Sequence, residues 1–302
     1  MTVPDYQTLM LPVLQVAQDG IEHTISDVVQ ILADTFQLSV EDRSELLPSG
    51  RQFRFDNRVH WARSYLKQAG LLQNTGRGKF RITERGVGAL ENNPGYINQV
   101  FLQQFPEFLE FKNRTGKSDT AVEEIEPEAT QTPEEILEAS YQSLRNKLAQ
   151  EILERIMSCS PRFFERLVVD LLVRMGYGGS RKDAGRAIGQ SGDGGVDGII
   201  NEDRLGLDVV YIQAKRWEGT VGRPVVQAFA GSLEGFRAKK GVMITTSSFS
   251  KDAIDYVGRI EKKIVLIDGE QLAQYMIDYG VGVAEMVTYT VKRIDLDYFD
   301  EE

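Results

Sequence analysis

Three side chains in the C-terminal half have the types and spacing expected for phosphodiester hydrolysis. Asp197 lies near the end of the glycine-rich stretch GQSGDGGVDG, where a predicted strand begins, and Gln213 and Lys215 follow in the next predicted strand, DVVYIQAKR. Because side chains alternate along a strand, Gln213 and Lys215 project from the same face. Carboxylate and amide oxygens suit Mg²⁺, and an ammonium group can orient an attacking water or stabilise charge on a phosphate.

An acid followed by a Q-x-K pair also arises by chance. The glycine-rich turn and the two predicted strands favour the catalytic interpretation over that of unrelated polar residues. Asp193 lies in the same turn, either as a further catalytic residue or as an ordinary turn residue. The glycines fit neither GxGxxG nor GxxxxGK[ST], so a nucleotide site is not indicated.

Alternating helical and strand-like segments must position these side chains. The spacing of apolar residues predicts helices over residues 161–176, 224–238, 252–260 and 269–279, and strands over 196–200, 208–216, 241–247 and 263–268. This alternation predicts an α/β layer sandwich with a mixed, partly parallel central sheet.

The N-terminal part carries a basic segment in a different pattern. Residues 51–85 contain nine Arg and Lys residues but only two acidic ones. Residues 57–70 have helical spacing, and a glycine-bearing turn at 76–78 joins two short strand-like runs, which predicts a winged helix that is mainly α with a β-hairpin. The residues predicted to contact DNA are Arg58, Arg63, Lys67, Arg77, Lys79 and Arg81. The alternative is a solvated basic surface.

The chain is predicted to have three parts. Residues 1–95 form the winged-helix DNA-binding domain, residues 96–131 an extension and acidic linker, and residues 132–302 the catalytic domain. The linker is predicted because the stretch from about residue 115 to 132 contains few large apolar residues. Thr132, Pro133 and Glu135 are typical of a helix start.

Several motifs together resemble a known family. GDGGVDG followed by QAK resembles the core of PD-(D/E)XK nucleases, in the variant where glutamine replaces the second acid. Over nearly the whole chain, the order of MTVP, WARSYLKQAGL, YGGS, GDGGVDG, QAKRW, GTVGRP and VLIDGE resembles the Mrr type IV restriction endonucleases. The resemblance implies a restriction-endonuclease-like fold, Mg²⁺ dependence and cleavage of double-stranded DNA that carries methylated adenine or cytosine.

The resemblance also implies roles for individual residues. Asp197 and Gln213 match the metal ligands, and Lys215 matches the catalytic lysine. A glutamate that this superfamily often adds from its first helix matches Glu165, which is a metal ligand or, alternatively, a solvated helix residue. The backbone carbonyl of Ala214 is a further possible ligand.

Composition limits the other classes of function. The single cysteine excludes an internal disulfide framework, and no Cys/His cluster indicates a zinc site. The first residues lack the pattern of a signal peptide, and no apolar run approaches the roughly 20 residues of a membrane span. A cytoplasmic protein with no membrane partner is therefore expected. The net charge of −10 argues against a protein that coats DNA along its whole surface.

Cutting both strands requires two active sites, which predicts a homodimer or a higher homo-oligomer. Two other functions remain open at this point. One is a DNA repair or recombination nuclease that does not depend on methylation. The other is a catalytically silent DNA-binding regulator that retains the nuclease fold.

Overall fold

The computed structural model describes residues 3–92, 94–115, 130–178, 195–203, 207–295 and 298. The chain divides into two compact units, the first comprising Met1–Tyr141 with Lys292–Glu302 and the second comprising Gln142–Val291. The second unit thus begins at residue 142, inside a helix, whereas the sequence places the start of the catalytic domain at residue 132. The functional division into residues 1–95, 96–131 and 132–302 stays a prediction.

The first unit is mainly helical. Its helices are α1 (Tyr6–Val16), α2 (Ile25–Thr35), α3 (Val40–Ser44), α4 (Arg54–Gln68), α5 (Glu84–Glu91), α6 (Gln99–Leu102), α7 (Pro106–Thr115) and the start of α8 (Pro133–Met157). Fully buried side chains such as Leu9, Val59 and Leu66 form one core with Phe80 of the hairpin. The apolar face of α4 is therefore buried in the core of the first unit, which fixes the orientation of this helix within the unit.

A small sheet follows α4. β2 (Leu72–Gly76) and β3 (Lys79–Ile82) form an antiparallel hairpin, and β1 (His23–Thr24) pairs with the other side of β3. Gly70, directly after α4, has φ +72°, and an added Cβ would lie 2.8 Å from the Arg85 guanidinium. Glycine therefore allows the sharp turn from α4 into the hairpin. The predicted winged helix is confirmed.

The second unit contains a four-stranded mixed sheet. Its strands are β4 (Gly198–Asn201), β5 (Val209–Lys215), β6 (Lys240–Thr245) and β7 (Lys263–Ile267). They lie in the order β4-β5-β6-β7, with β4 antiparallel to β5 and the other pairs parallel. The parallel pairs bring the carboxyl ends of β5, β6 and β7 to one edge of the sheet.

Helices cover both faces of this sheet. The end of α8, α9 (Pro161–Arg174) and α12 (Gly269–Asp278) share one core with Val210 and Ile212 of β5. α10 (Arg223–Gly235) and α11 (Lys251–Val257) share the other core with Tyr211. The predicted α/β sandwich with a mixed sheet is confirmed. No helix within the described ranges is long and apolar enough to cross a membrane.

Candidate active site

Strand register brings Asp197 and Gln213 together. Gly198 pairs with Ile212 across the antiparallel β4 and β5, so one more residue along places Asp197 opposite Gln213. The Asp197 N–H donates to the Ile212 carbonyl at 2.8 Å, and Oδ2 of Asp197 accepts from the Ala214 N–H at 2.8 Å. One carboxylate oxygen is thus held by the backbone, which fixes the orientation of the carboxylate.

Gln213 is a buried polar side chain that is only half satisfied. It is 5% exposed, and its Nε2 donates to the Gly195 carbonyl at 2.7 Å. Its Oε1 is buried and has no hydrogen-bond partner among the described residues. A buried carbonyl oxygen without a partner costs about 1–3 kcal/mol. The Gln213 Oε1, kept unpaired at that cost beside the fixed Asp197 carboxylate, has the environment expected of a metal ligand.

Gly195 permits this arrangement. Its φ is +70°, and an added Cβ would lie 2.8 Å from Oγ of Ser232 on α10. Both the backbone conformation and the close approach require glycine. The contact between Gly195 and Ser232 was not foreseen from the sequence, because the two residues are distant along the chain.

Lys215 and Glu165 complete the cluster. Lys215 follows Gln213 by two residues on β5 and therefore shares its face. Glu165 is half-buried on α9, a helix that Ser160 caps by accepting from the Phe163 N–H at 3.2 Å. Burial raises the pKa of Glu165, the negative charge of Asp197 raises it further, and Arg162 and Lys215 oppose the increase. Glu165 is thus close enough to sense the charges of both Asp197 and Lys215.

The oxygen donors fit a divalent metal ion. Asp197 offers its Oδ1, Gln213 its unpartnered Oε1 and Glu165 its carboxylate, and hard divalent cations prefer oxygen ligands. No group of three His, Cys, Asp or Glu side chains with metal-site geometry occurs in the described part of the chain. The amide oxygen of Gln213 is therefore essential to the fit.

Two other residues named from the sequence have different outcomes. Asp193 lies outside the described residues, so its role stays a prediction. For Ala214, the structure gives the bond from its N–H to Asp197, and the role of its carbonyl as a metal ligand stays a prediction.

The basic surface of the first unit contains most of the predicted DNA contacts. Lys67 on α4 is exposed, as are Arg77, Lys79 and Arg81 on the hairpin. Lys79 pairs with Glu22 at 2.8 Å, and that contact is exposed on both sides. Arg63 is half-buried: it donates to Asn74 Oδ1 at 2.5 Å, and its guanidinium lies 5.0 Å from the centre of the Phe80 ring.

Arg58 differs from its predicted environment. Its side chain is 13% exposed, and its Nη2 lies 2.9 Å from Oε1 of Glu135, which is itself 7% exposed. Its Nη1 donates to the carbonyls of Val3 and Pro4 at 2.6 and 3.1 Å. We correct the prediction of Arg58 as a DNA contact, because its guanidinium is already bonded within the first unit.

An aromatic group on α4 adds to this packing. Trp61 donates from Nε1 to Glu134 at 2.5 Å, and Tyr65 stacks on Tyr6 with ring centroids 5.5 Å apart. One side of α4 is thus used for internal packing. The other side carries Lys67, which faces solvent.

The geometry of the second unit agrees with one class of enzyme. A fixed aspartate, a buried amide oxygen and a lysine at one end of a mixed sheet, with a half-buried glutamate on α9, form the arrangement expected of a metal-dependent PD-(D/E)XK nuclease.

Sequence comparisons identify the family within this class. Residues 156–276 match a restriction endonuclease family, and residues 6–92 match the Mrr N-terminal domain. The type IV methyl-directed restriction enzyme EcoKMrr of Escherichia coli (strain K12) is 40% identical over 312 residues, which cover 99% of this chain and 100% of that protein. The chain therefore belongs to the Mrr family of restriction endonucleases, and the protein is an endonuclease that acts on DNA. Its family implies dependence on a divalent metal.

A similar solved structure is that of MspJI restriction endonuclease in complex with a 27-mer oligonucleotide. The similarity covers 68% of this chain and 51% of that chain, with 21% identity and a TM-score of 0.27. This chain thus spans about half the length of the MspJI chain. A similarity of this size bears on neither residue roles nor substrate.

Proposed function

We propose that the protein is a type IV restriction endonuclease that hydrolyses phosphodiester bonds in double-stranded DNA carrying methylated adenine or cytosine. The observation that carries the catalytic part is the buried Oε1 of Gln213, unpartnered among the described residues, opposite the fixed carboxylate of Asp197. The relation to EcoKMrr, described as methyl-directed, supports the choice of substrate.

Mg²⁺ is the proposed metal, with Asp197, Gln213 and Glu165 as the residues that would hold it. When bound, such an ion polarises the phosphate and increases the acidity of a coordinated water. The protein's own contribution is to present two of these oxygens with little reorganisation, since Asp197 and Gln213 are held by backbone groups. In the metal-free protein, burial and the neighbouring charge of Asp197 raise the pKa of Glu165.

Lys215 supplies the positive charge from the protein. In the reaction, a water oxygen bonds to phosphorus while the bond from phosphorus to one sugar oxygen breaks. The Lys215 ammonium lies on the same strand face as Gln213, where it orients the attacking water or stabilises the charge that develops on the phosphoryl oxygens. Asp193, four residues before Asp197 in the sequence, remains a further proposed catalytic residue.

The winged helix is proposed to hold the duplex. Arg63, Lys67, Arg77, Lys79 and Arg81 would contact DNA phosphates, from α4 and from the hairpin. Residues 1–95 would thus bind DNA, residues 96–131 would act as extension and linker, and residues 132–302 would cut.

A second copy of the chain is proposed as a partner, because one active site cuts one strand at a time. The expected form is a homodimer or a higher homo-oligomer in the cytoplasm. Light scattering after size-exclusion chromatography, with and without DNA, tests this part. A strict monomer in both conditions would contradict it.

Plasmid cleavage tests the proposed substrate. Supercoiled plasmid with and without adenine or cytosine methylation is incubated with the wild-type protein, in Mg²⁺ and in a matched reaction with a chelator. The proposal expects cutting of the methylated plasmid alone, and only with Mg²⁺. Equal cutting of both plasmids would favour a repair or recombination nuclease. DNA binding without cutting in any condition would favour a catalytically silent regulator.

A further inference from the structure

The segment directly after Lys215 is held by a row of hydroxyl groups. The side chains of Thr245, Thr246 and Ser247, at the end of β6, donate to the carbonyls of residues 215, 217 and 219, at 2.9, 2.8 and 2.7 Å. Consecutive hydroxyls thus bond to every second carbonyl of the facing segment. Each bond contributes modestly, but together they fix the backbone that leaves the active site.

Further backbone bonds hold the same segment at both ends. The Thr246 N–H donates to the Lys215 carbonyl at 3.2 Å, and the Val221 N–H donates to the Ser248 carbonyl at 2.8 Å. Thr220 and Ser248 bond through their hydroxyls at 3.1 Å. Residues 215–221 are therefore positioned as firmly as a strand although β5 ends at Lys215.

An aromatic side chain projects from this fixed segment. Trp217 is 43% exposed, so it does not serve as a core residue. A single residue, Arg216, separates it from Lys215, which limits the distance between the Cα atoms of Lys215 and Trp217 to about 7 Å. A large exposed aromatic ring on a rigid backbone next to a catalytic group is a preorganised binding element.

Trp217 lines a shallow cavity together with a cationic group. The lining residues are Met157, Arg216, Trp217, Glu218, Gly219 and Thr220. Arg216 donates from Nη1 to the Met157 carbonyl at 2.5 Å, while its buried Nε has no partner among the described residues. Glu218 also lines the cavity, so that a negative and a positive side chain flank Trp217 in the sequence.

We infer that Arg216 and Trp217 form a DNA subsite that flanks the phosphate to be cut. The Arg216 guanidinium binds a neighbouring backbone phosphate, and the Trp217 ring packs against the sugar or base of the adjoining nucleotide. The hydroxyls of Thr246 and Ser247 act as positioning groups, since they hold the carbonyls on either side of Glu218. This inference rests on the proposed function, because it assumes that DNA is the substrate of the Lys215 site.

Intrinsic fluorescence tests the inference without cleavage. The chain contains two tryptophans, so Trp61→Phe leaves Trp217 as the single reporter. A methylated duplex carrying a dye is added in the presence of a chelator, and dye anisotropy and tryptophan emission are recorded together. The expected result is a change in Trp217 emission with the same midpoint as the anisotropy.

The two readouts separate the possible failures. Binding seen by anisotropy with unchanged Trp217 emission would overturn the inference and leave the proposed function standing. No binding to either methylated or unmethylated duplex would overturn both. Thermal unfolding of Trp61→Phe checks that the loss of its bond to Glu134 leaves the protein folded.

Steady-state kinetics provide the second test, in the otherwise wild-type chain. The stacking of an aromatic ring on one base contributes substantially to the free energy of DNA binding. Trp217→Ala is therefore expected to raise KM about tenfold, with kcat changed less than about twofold. Trp217→Phe should restore most of the loss, and Thr246→Val should give a smaller increase in KM. Tyr279→Ala, which removes another exposed aromatic ring of the same unit, is the matched control. An unchanged KM in Trp217→Ala would contradict the inference.

Discussion

The two functional regions of the molecule hold their polar groups in opposite ways. At the nuclease site, Asp197 and Gln213 are anchored to backbone groups, and Gln213 is 5% exposed. On α4 and the hairpin, Lys67, Arg77 and Arg81 lie at the surface. The first region has fixed oxygens, and the second has long cationic side chains that can adjust.

This difference follows from what each region is proposed to bind. A small divalent ion requires oxygens at fixed positions, which buried strands provide at the cost of an unsatisfied amide. Phosphates along a duplex are spread over a surface, and flexible exposed cations can follow them. Substitutions at the nuclease site should therefore change the rate of DNA cleavage. Substitutions on α4 and the hairpin should change folding stability or the salt-dependent affinity for DNA.

Apart from the loss of Asp197 itself, the largest expected effect concerns Gln213. In Gln213→Leu the ligand oxygen and the bond to Gly195 are lost, so we expect cleavage to fall about 100-fold while DNA affinity stays within about twofold. The free energy of unfolding should change little, because the substitution removes a buried unsatisfied oxygen together with the hydrogen bond to Gly195. Single-turnover cleavage and urea unfolding check both parts.

Met243→Leu is the control for Gln213→Leu, since Met243 is fully buried on β6 and lies opposite Gln213 of β5 in the sheet. This volume-conserving change should leave cleavage nearly unchanged. If both variants lose cleavage equally, the effect reflects packing, and Gln213 has no special role as a ligand.

Arg58 should affect folding rather than chemistry. Arg58→Ala removes the closer of the two arginines that pair with the buried Glu135 carboxylate, so we expect the first unit to lose about 3 kcal/mol of stability. Arg51→Ala, at an exposed arginine, should change stability by less than about 0.5 kcal/mol. Urea unfolding measures both. A stable Arg58→Ala protein with weakened DNA binding would restore Arg58 to the DNA-contacting set.

Lys67 should show the reverse behaviour. Lys67→Ala removes an exposed cation, so we expect unchanged stability and a salt dependence of DNA affinity that is lower by about one unit of slope. Duplex binding at several salt concentrations gives this slope. Lys263→Ala, at an exposed lysine of β7, is the control. Equal slopes in wild type and Lys67→Ala would argue against α4 as a DNA contact.

Glu165 should give a small effect of pH on stability. Because its pKa is raised above 4.5, the folded metal-free protein keeps the proton to higher pH than the unfolded chain does. Its contribution to stability therefore falls as pH rises through the raised pKa. In Glu165→Gln this fall should be absent, as urea unfolding at pH 4.5 and pH 7.5 would show.

The exposed Glu261→Gln serves as control for this measurement and should keep the wild-type pH dependence. A pH dependence in Glu165→Gln identical to that of the wild type would show that burial and the charge of Asp197 do not raise the pKa of Glu165 in the folded protein.

Much of the nuclease fold could be predicted because its signals are local. Strands of four to seven residues with period-two side chains determine that Gln213 and Lys215 share a face. Their surroundings could not be predicted. The contact of Gly195 with Ser232 and the hydroxyls of Thr245 to Ser247 depend on how separate elements pack.

The basic region shows more clearly what could not be predicted from the sequence. Nine basic residues in 51–85 correctly indicated an exposed cationic surface around Lys67 and the hairpin. Arg58 has the same residue type and lies on the same helix, but its partner Glu135 is 77 residues away in sequence. Composition and helical spacing contain no information on such a contact, so the role of Arg58 required the structure.

The most direct test of the central claim is cleavage by Asp197→Ala. Methylated supercoiled plasmid is incubated with excess wild-type or variant protein in Mg²⁺, and DNA binding is measured in parallel with a chelator. Since Asp197 is the fixed carboxylate of the site, we expect the variant to cut at least about 1,000-fold more slowly and to bind DNA with unchanged affinity. Cleavage by Asp197→Ala at the wild-type rate would contradict the account.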